Sequence, residues 1–181
     1  MCLMLAAMAL ITSGCEDTIS SKFSHKYKVR FYFEVAQSPE LYNALANPGQ
    51  FVTIRQKAGT GKVRIENSLS GTDYALSSIG STDFEYGLGG LIVGTCNLLN
   101  MNNQYDIVCY DLACPNCDRA DRRLTVSDDG TAQCAKCGIK YNLNGQGAII
   151  SAPSFPDDRE LYALYNYPVN YNGLAVNINN Y

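Results

Sequence analysis

The chain has 181 residues, 46% hydrophobic and 17% charged, with a net charge of −3, which suits one globular domain with its own core and gives no electrostatic attraction to nucleic acid. Its single histidine, His25, excludes a His-rich metal centre, a Ser-His-Asp triad or a Cys-His pair elsewhere. Against it stand eight cysteines, half of them between Cys114 and Cys137.

Residues 1–11 are an apolar run too short to span a bilayer, followed by Thr12-Ser13-Gly14-Cys15, small residues of the kind a signal peptidase needs. The segment resembles a bacterial lipoprotein signal. That resemblance implies removal of residues 1–14, lipidation of Cys15, and an anchored protein of the cell envelope, at the outer membrane or surface of a Gram-negative bacterium. The competing reading is a helix ending at Gly14, apolar on every face and fully enclosed. Residues 15–26 read as a polar tether, with His25 as a solvated linker residue.

From Tyr27 the pattern changes to the period-2 alternation of a half-buried strand, with Val29, Phe31, Phe33 and Val35 on one face. Residues 38–46 predict the one clear helix, capped by Ser38, with Pro39 in the first turn, Glu40 near its positive end, and Asn47-Pro48-Gly49 as a stop. Strands resume at residues 51–55. Residues 56–86, rich in Gly, Ser and Thr, predict only loose strands or loops. Runs at 90–96 and 105–110 predict one hairpin, and 124–126 with 131–133, around Asp128-Asp129-Gly130, a second. Residues 162–165 alternate like a strand, and Asn172-Gly173 marks a tight turn before a last strand at 174–178. The sum is an all-β domain over residues 27–181, an antiparallel sandwich or barrel.

Cys114-Pro115-Asn116-Cys117 and Cys134-Ala135-Lys136-Cys137 form two C-x2-C pairs. Joined by a hairpin, they bring four thiolates to one tetrahedral point. Gly138 permits the bend that closes the second knuckle, and the Asp128-Asp129-Gly130 turn returns the chain. Two disulfides among the four sulfurs are the alternative, favoured by an oxidising compartment. Cys96 and Cys109, on opposite arms of the hairpin centred on Asn102-Asn103, are expected to face one another as buried thiols or as a cross-strand disulfide.

Residues 87–181 resemble the Rieske iron-sulfur domain. The resemblance is carried by the strand pair at 90–110, by Asp111-Leu112-Ala113-Cys114-Pro115, and by residues 134–145. The family's loops read C-x-H and C-x-x-H-G-S-x-[FY]-D, and Cys114 and Cys134 occupy their cysteine slots. Asn116 falls in the first histidine slot, Cys117 stands one residue further on, and Cys137 takes the second histidine slot. Ile139 replaces a serine that bonds the cluster, while Tyr141 keeps the tyrosine. Without histidines the chain resembles a four-cysteine variant found among Rieske-like bacterial lipoproteins. That implies a Rieske-like sandwich with a small two-knuckle metal-binding subdomain (residues 111–145), with Tyr141, Gly138 and Pro153 of the covering loop around the metal. The cofactor is then a [2Fe-2S] cluster, a single iron or a single zinc.

Four thiolates on one ion leave no place for substrate water, so hydrolytic chemistry is disfavoured. No catalytic set emerges: Asp157, Asp158 and Glu160 lack a distinguishing context, and no helix-crossover pattern surrounds the first C-x2-C to suggest thiol exchange. Tyrosines and asparagines near the end, Tyr165 to Asn172, read as strand and turn residues before glycan contacts. The functional expectation is electron transfer to a redox or envelope partner, or a zinc-stapled scaffold with no redox role.

Overall fold

The computed structural model describes residues 23–75, 84–153, 155 and 160–181. The lipoprotein signal, Cys15, Asp157 and Asp158 lie outside them. No helix among the described residues is long and apolar enough to cross a membrane.

Strand β1 (Val29–Glu34) alternates buried and exposed residues throughout, as its sequence does. A 3-10 turn (Val35–Gln37) leads into α1 (Pro39–Ala46), whose Ser38 Oγ accepts a hydrogen bond from Leu41 N at 3.3 Å. The helix buries Leu41, Ala44 and Leu45, and also Glu40, whose carboxylate accepts bonds from Ser38, Thr72 and Tyr74. Burial raises the Glu40 pKa, but the bonds from Tyr74, its own backbone N–H, Thr72 and Ser38 outweigh it and hold the carboxyl at about 2.

Then come β2 (Phe51–Lys57), β3 (Lys62–Glu66), β4 (Gly71–Ala75) and β5 (Glu85–Tyr86). Two full ladders, β2 with β3 and β3 with β4, occupy the stretch expected to be loose. Gly59, Thr60 and Gly61 sit at one turn and Ser68 and Ser70 at the next, while Val63 and Ile65 bury one face. The next strands are β6 (Leu91–Leu99), β7 (Tyr105–Asp111), β8 (Leu124–Ser127), β9 (Thr131–Cys134), β10 (Lys140–Asn142) and β11 (Ala148–Ser151). The chain closes with β12 (Asn166–Tyr167), β13 (Val169–Tyr171) and β14 (Ala175–Asn179). Residues 162–165 belong to no strand: only Leu164 is buried, held by a bond from its N–H to Gly147 O at 3.0 Å.

Among the described residues every strand pairing is antiparallel, in three sheets ordered β13-β14-β1-β5, β12-β7-β6-β2-β3-β4 and β11-β10-β9-β8. The fold is all-β. The first two sheets enclose one core, with Phe31, Phe33, Val176 and Ile178 against Val52, Ile54, Val63, Ile65, Leu91 and Val93. The opposite face of the six-stranded sheet, through Phe51, Ile92, Val108 and Tyr110, packs on the small third sheet and the four cysteines in a second core. Six consecutive residues of β6, Leu91 to Cys96, are therefore buried, as expected for a strand covered on both faces.

Cys96 and Cys109 do not face one another. Cys109 pairs with Val93: the turn pairs Leu99 with Tyr105, centred on Asn102 and one residue off the symmetric hairpin, and an irregularity between Thr95 and Leu99 shifts the register by two more. Cys109 joins the first core and Cys96 the second. The described end of the tether is docked: Ser24 N donates to Asn166 O at 2.7 Å, and Asn180 Nδ2 donates to the carbonyls of Ser24 and Tyr27. His25 is exposed, its Nδ1 lying 3.0 Å from Asn180 O.

Candidate metal centre

Two equivalent knuckles build the centre. In the first, Asp118 N donates to Cys114 O at 2.9 Å, with Asp118 at φ +52°; in the second, Gly138 N donates to Cys134 O at 2.9 Å, with Gly138 at φ +75°. Each closes through a left-handed residue directly after its second cysteine. The second knuckle uses glycine. The first uses an aspartate, whose carboxylate fastens it to Lys26 Nζ (2.9 Å), Tyr27 Oη (2.7 Å) and Tyr165 Oη (3.1 Å).

The hairpin of β8 and β9 carries the knuckles to each other. The Cys114 and Cys137 sulfurs lie 3.6 Å apart, those of Cys117 and Cys134 3.8 Å apart, and all four are within 4.8 Å of one another. Cys114, Cys134 and Cys137 are buried, and Cys117 is the partly exposed member. None is in a disulfide. A regular tetrahedron with metal–sulfur bonds of about 2.3 Å has sulfur–sulfur edges of about 3.8 Å. The four cysteines lie close enough to hold a metal ion.

Burial and the neighbouring thiols push Cys137 up to about 11 and Cys117 higher still. Burial acts on Cys134 in the same direction, but backbone N–H bonds from Cys137 and Lys136 outweigh it and lower its pKa. Metal binding must therefore expel protons from Cys117 and Cys137, so affinity rises with pH.

Tyr141 is fully buried, with its hydroxyl 3.4 Å from Cys114 Sγ. Asn116 Nδ2 donates to that hydroxyl at 2.9 Å, which leaves the phenolic proton for the sulfur. Asn116 also clamps the covering chain: Nδ2 donates to Tyr162 O at 2.7 Å, and Oδ1 accepts from Tyr162 N at 2.9 Å. Phe155 and Leu161 pack against the second core, to which Cys114, Cys134 and Cys137 belong, while Pro153 is exposed and Ile139 fully buried.

The sequence reading missed Asp111 and Asp118. Asp111, fully buried, accepts bonds from Leu88 N (2.6 Å), Gly89 N (3.0 Å), Ala113 N (2.7 Å) and Tyr167 Oη (2.7 Å). Burial raises its pKa, and the backbone donors only partly offset that. The carboxylate ties the start of the first cysteine loop to the 87–90 turn, where a side chain on Gly89 would lie 2.7 Å from Ala113 N. No spacing rule marks Asp111. Asp118 had a signal in its equivalence to Gly138. Compared with family models, curated proteins and solved structures, the chain matches none.

Proposed function

We propose that the protein is a lipid-anchored envelope protein whose four cysteines bind one metal ion in a closed, non-hydrolytic site that staples the two-knuckle sheet to the central sheet. The observation that carries this reading is the sulfur spacing. Four sulfurs within 4.8 Å of one another suit one ion at bonds of about 2.3 Å. Two sulfide-bridged irons would instead hold one pair of thiolates well away from the other. Three of the four cysteines are also members of the second core, so the ion would be bonded to the packing that holds the subdomain in place.

A second reading, one-electron transfer by a single iron, draws on the donors aimed at the sulfurs, namely Tyr141 Oη and the N–H groups of Lys136 and Cys137, and on the partial exposure of Cys117 towards a partner. The Rieske-like ancestry of the domain and acylation of Cys15 belong to this proposal as well.

Elemental analysis with X-ray absorption on anaerobically produced protein tests it. One zinc per chain, with a single sulfur shell near about 2.3 Å, supports the staple. One coloured, reducible iron supports the carrier. A metal–metal vector in the absorption spectrum, or metal-free protein with four oxidised thiols, overturns the single-ion site. Labelled-lipid incorporation that survives Cys15→Ser would refute the anchor.

A further inference from the structure

Residues 97–105 carry no Asp, Glu, Lys, Arg or His, and they hold four exposed large side chains of apolar character: Met101, fully exposed, with Leu98 at 61%, Leu99 at 51% and Tyr105 at 47%. They form an arm that projects from the central sheet. β2 accompanies β6 only as far as Thr95, whose carbonyl accepts from Gly49 N at 2.7 Å, and β12 pairs with β7 only at Cys109 and Tyr110. From Leu98 onward the two strands have, among the described residues, no ladder partner but each other. Leu99 pairs with Tyr105, and Met101 stands at the tip.

The backbone of the tip is closed on itself. Asn100 N donates to Gln104 O at 2.8 Å and Asn103 N to Asn100 O at 3.0 Å, while Asn100 Oδ1 accepts from Asn102 N at 2.9 Å and Gln104 N at 3.0 Å. An edge that binds a peptide keeps such groups free for the partner's backbone, whereas a segment entering lipid must spend them internally. An uncharged turn of this kind, with leucines and a methionine outermost and a tyrosine at its base, suits the headgroup boundary of a bilayer.

The tether can bring the arm there. Ser24 is held beside Asn166, which pairs with Tyr110, and Tyr105 lies five residues further along β7. That is about 17 Å, whereas the nine residues from Cys15 to Ser24 can span about 30 Å. The acidic Asp128-Asp129 turn sits behind the tip, level with Asn97: Asn144 accepts from Asn97 N at 2.9 Å, and a side chain on Gly130 would run into Asn144. Anionic lipid would repel that turn, so the surface that fits is zwitterionic.

We propose that the 97–105 arm inserts its tip into a zwitterionic lipid surface as a second membrane contact beside acylated Cys15. The reach of the tether rests on the lipid-anchor reading; the chemistry of the arm does not.

The chain has no tryptophan, so Met101→Trp in the full chain is a single reporter of the tip, and Tyr181→Trp, next to the Asn180 that holds the tether, is its control. With phosphatidylcholine vesicles the Met101→Trp emission should move to the blue, at low and high salt alike, and be quenched severalfold more by brominated lipid than that of Tyr181→Trp. Adding Leu98→Glu to the reporter should abolish the shift with an unchanged melting temperature, since Leu98 is exposed. Unmoved emission overturns the arm; labelled lipid found on Cys15 in the same sample then shows that the anchor survives, and its lack that both fail. A shift that persists when Cys15 carries no lipid supports the arm and removes the anchor. A blue shift without vesicles that grows with protein concentration marks contact between copies and overturns the proposal, as does equal quenching of Tyr181→Trp.

Discussion

Replacing Asp111 with alanine should destabilise the fold by about 3–5 kcal/mol and loosen the first metal loop. Of the four groups that donate to this carboxylate, Leu88 N is half-buried and can be rehydrated, whereas Gly89 N, Ala113 N and the Tyr167 hydroxyl are buried. Each buried donor left without a partner costs roughly 1–3 kcal/mol, so three cost roughly 3–9. Relief of the carboxylate's own desolvation, visible in its raised pKa, offsets several of these and leaves the lower figure. Asp111→Asn keeps one acceptor oxygen and should lose about half as much. Urea denaturation at fixed metal occupancy reads the stability, and competition with a chromogenic chelator reads the metal, whose affinity should fall about 10-fold or more. A loss below about 1 kcal/mol with unchanged metal affinity would refute the role given to this carboxylate.

Glu40 makes the opposite use of a buried carboxylate. Its folded pKa is depressed from the usual 4.5 to about 2, so its contribution is fully present above about 4.5 and disappears as pH falls towards 2. That contribution is about 3 kcal/mol; Glu40→Gln should lose most of it at pH 7 and show a flatter stability profile between pH 5 and 2 in acid titrations followed by circular dichroism. Asn116→Ala and Tyr141→Phe should each speed metal loss to a chelator about 10-fold, and the double variant should lose less than the sum because the two side chains act in one chain of bonds to Cys114; additive effects would show that they act separately. Gly138→Ala, at φ +75°, should cost about 1–2 kcal/mol in chemical denaturation, and an unchanged midpoint would mean that the knuckle closes differently.

What the sequence disclosed depended on whether the governing interaction is local. The alternation of β1, the Ser38 cap and the four-cysteine spacing each reflect contacts within a few residues or a simple period, and each was readable. β3 and β4 were obscured because Lys62, Arg64, Glu66 and Asp73 give that hairpin a polar composition, although Val63 and Ile65 alternate correctly inside it. Cys96 and Cys109 were set opposite one another by counting outward from a turn between Asn102 and Asn103, whereas the turn is centred on Asn102 and an irregularity inside β6 shifts the register further. The expected strand at 162–165 had a suitable pattern but no ladder to join. Apart from the bond from Ala113 N to Asp111, Asp111 and Asn116 act through contacts 22 to 56 positions away, which no local pattern encodes.

The central sheet is a party wall. Leu91 and Val93 of β6 face one core while Ile92 and Cys96 face the other, so a one-residue slip of this strand would exchange the occupants of both. Neither core can be assembled wrongly, or lost, without disturbing its neighbour. Damage at the cysteines would thus be transmitted along β6 to the aromatic packing of Phe31 and Phe33 on the far side. The two halves should therefore share one melting transition in calorimetry, and removal of an ion held by the cysteines should move that whole transition.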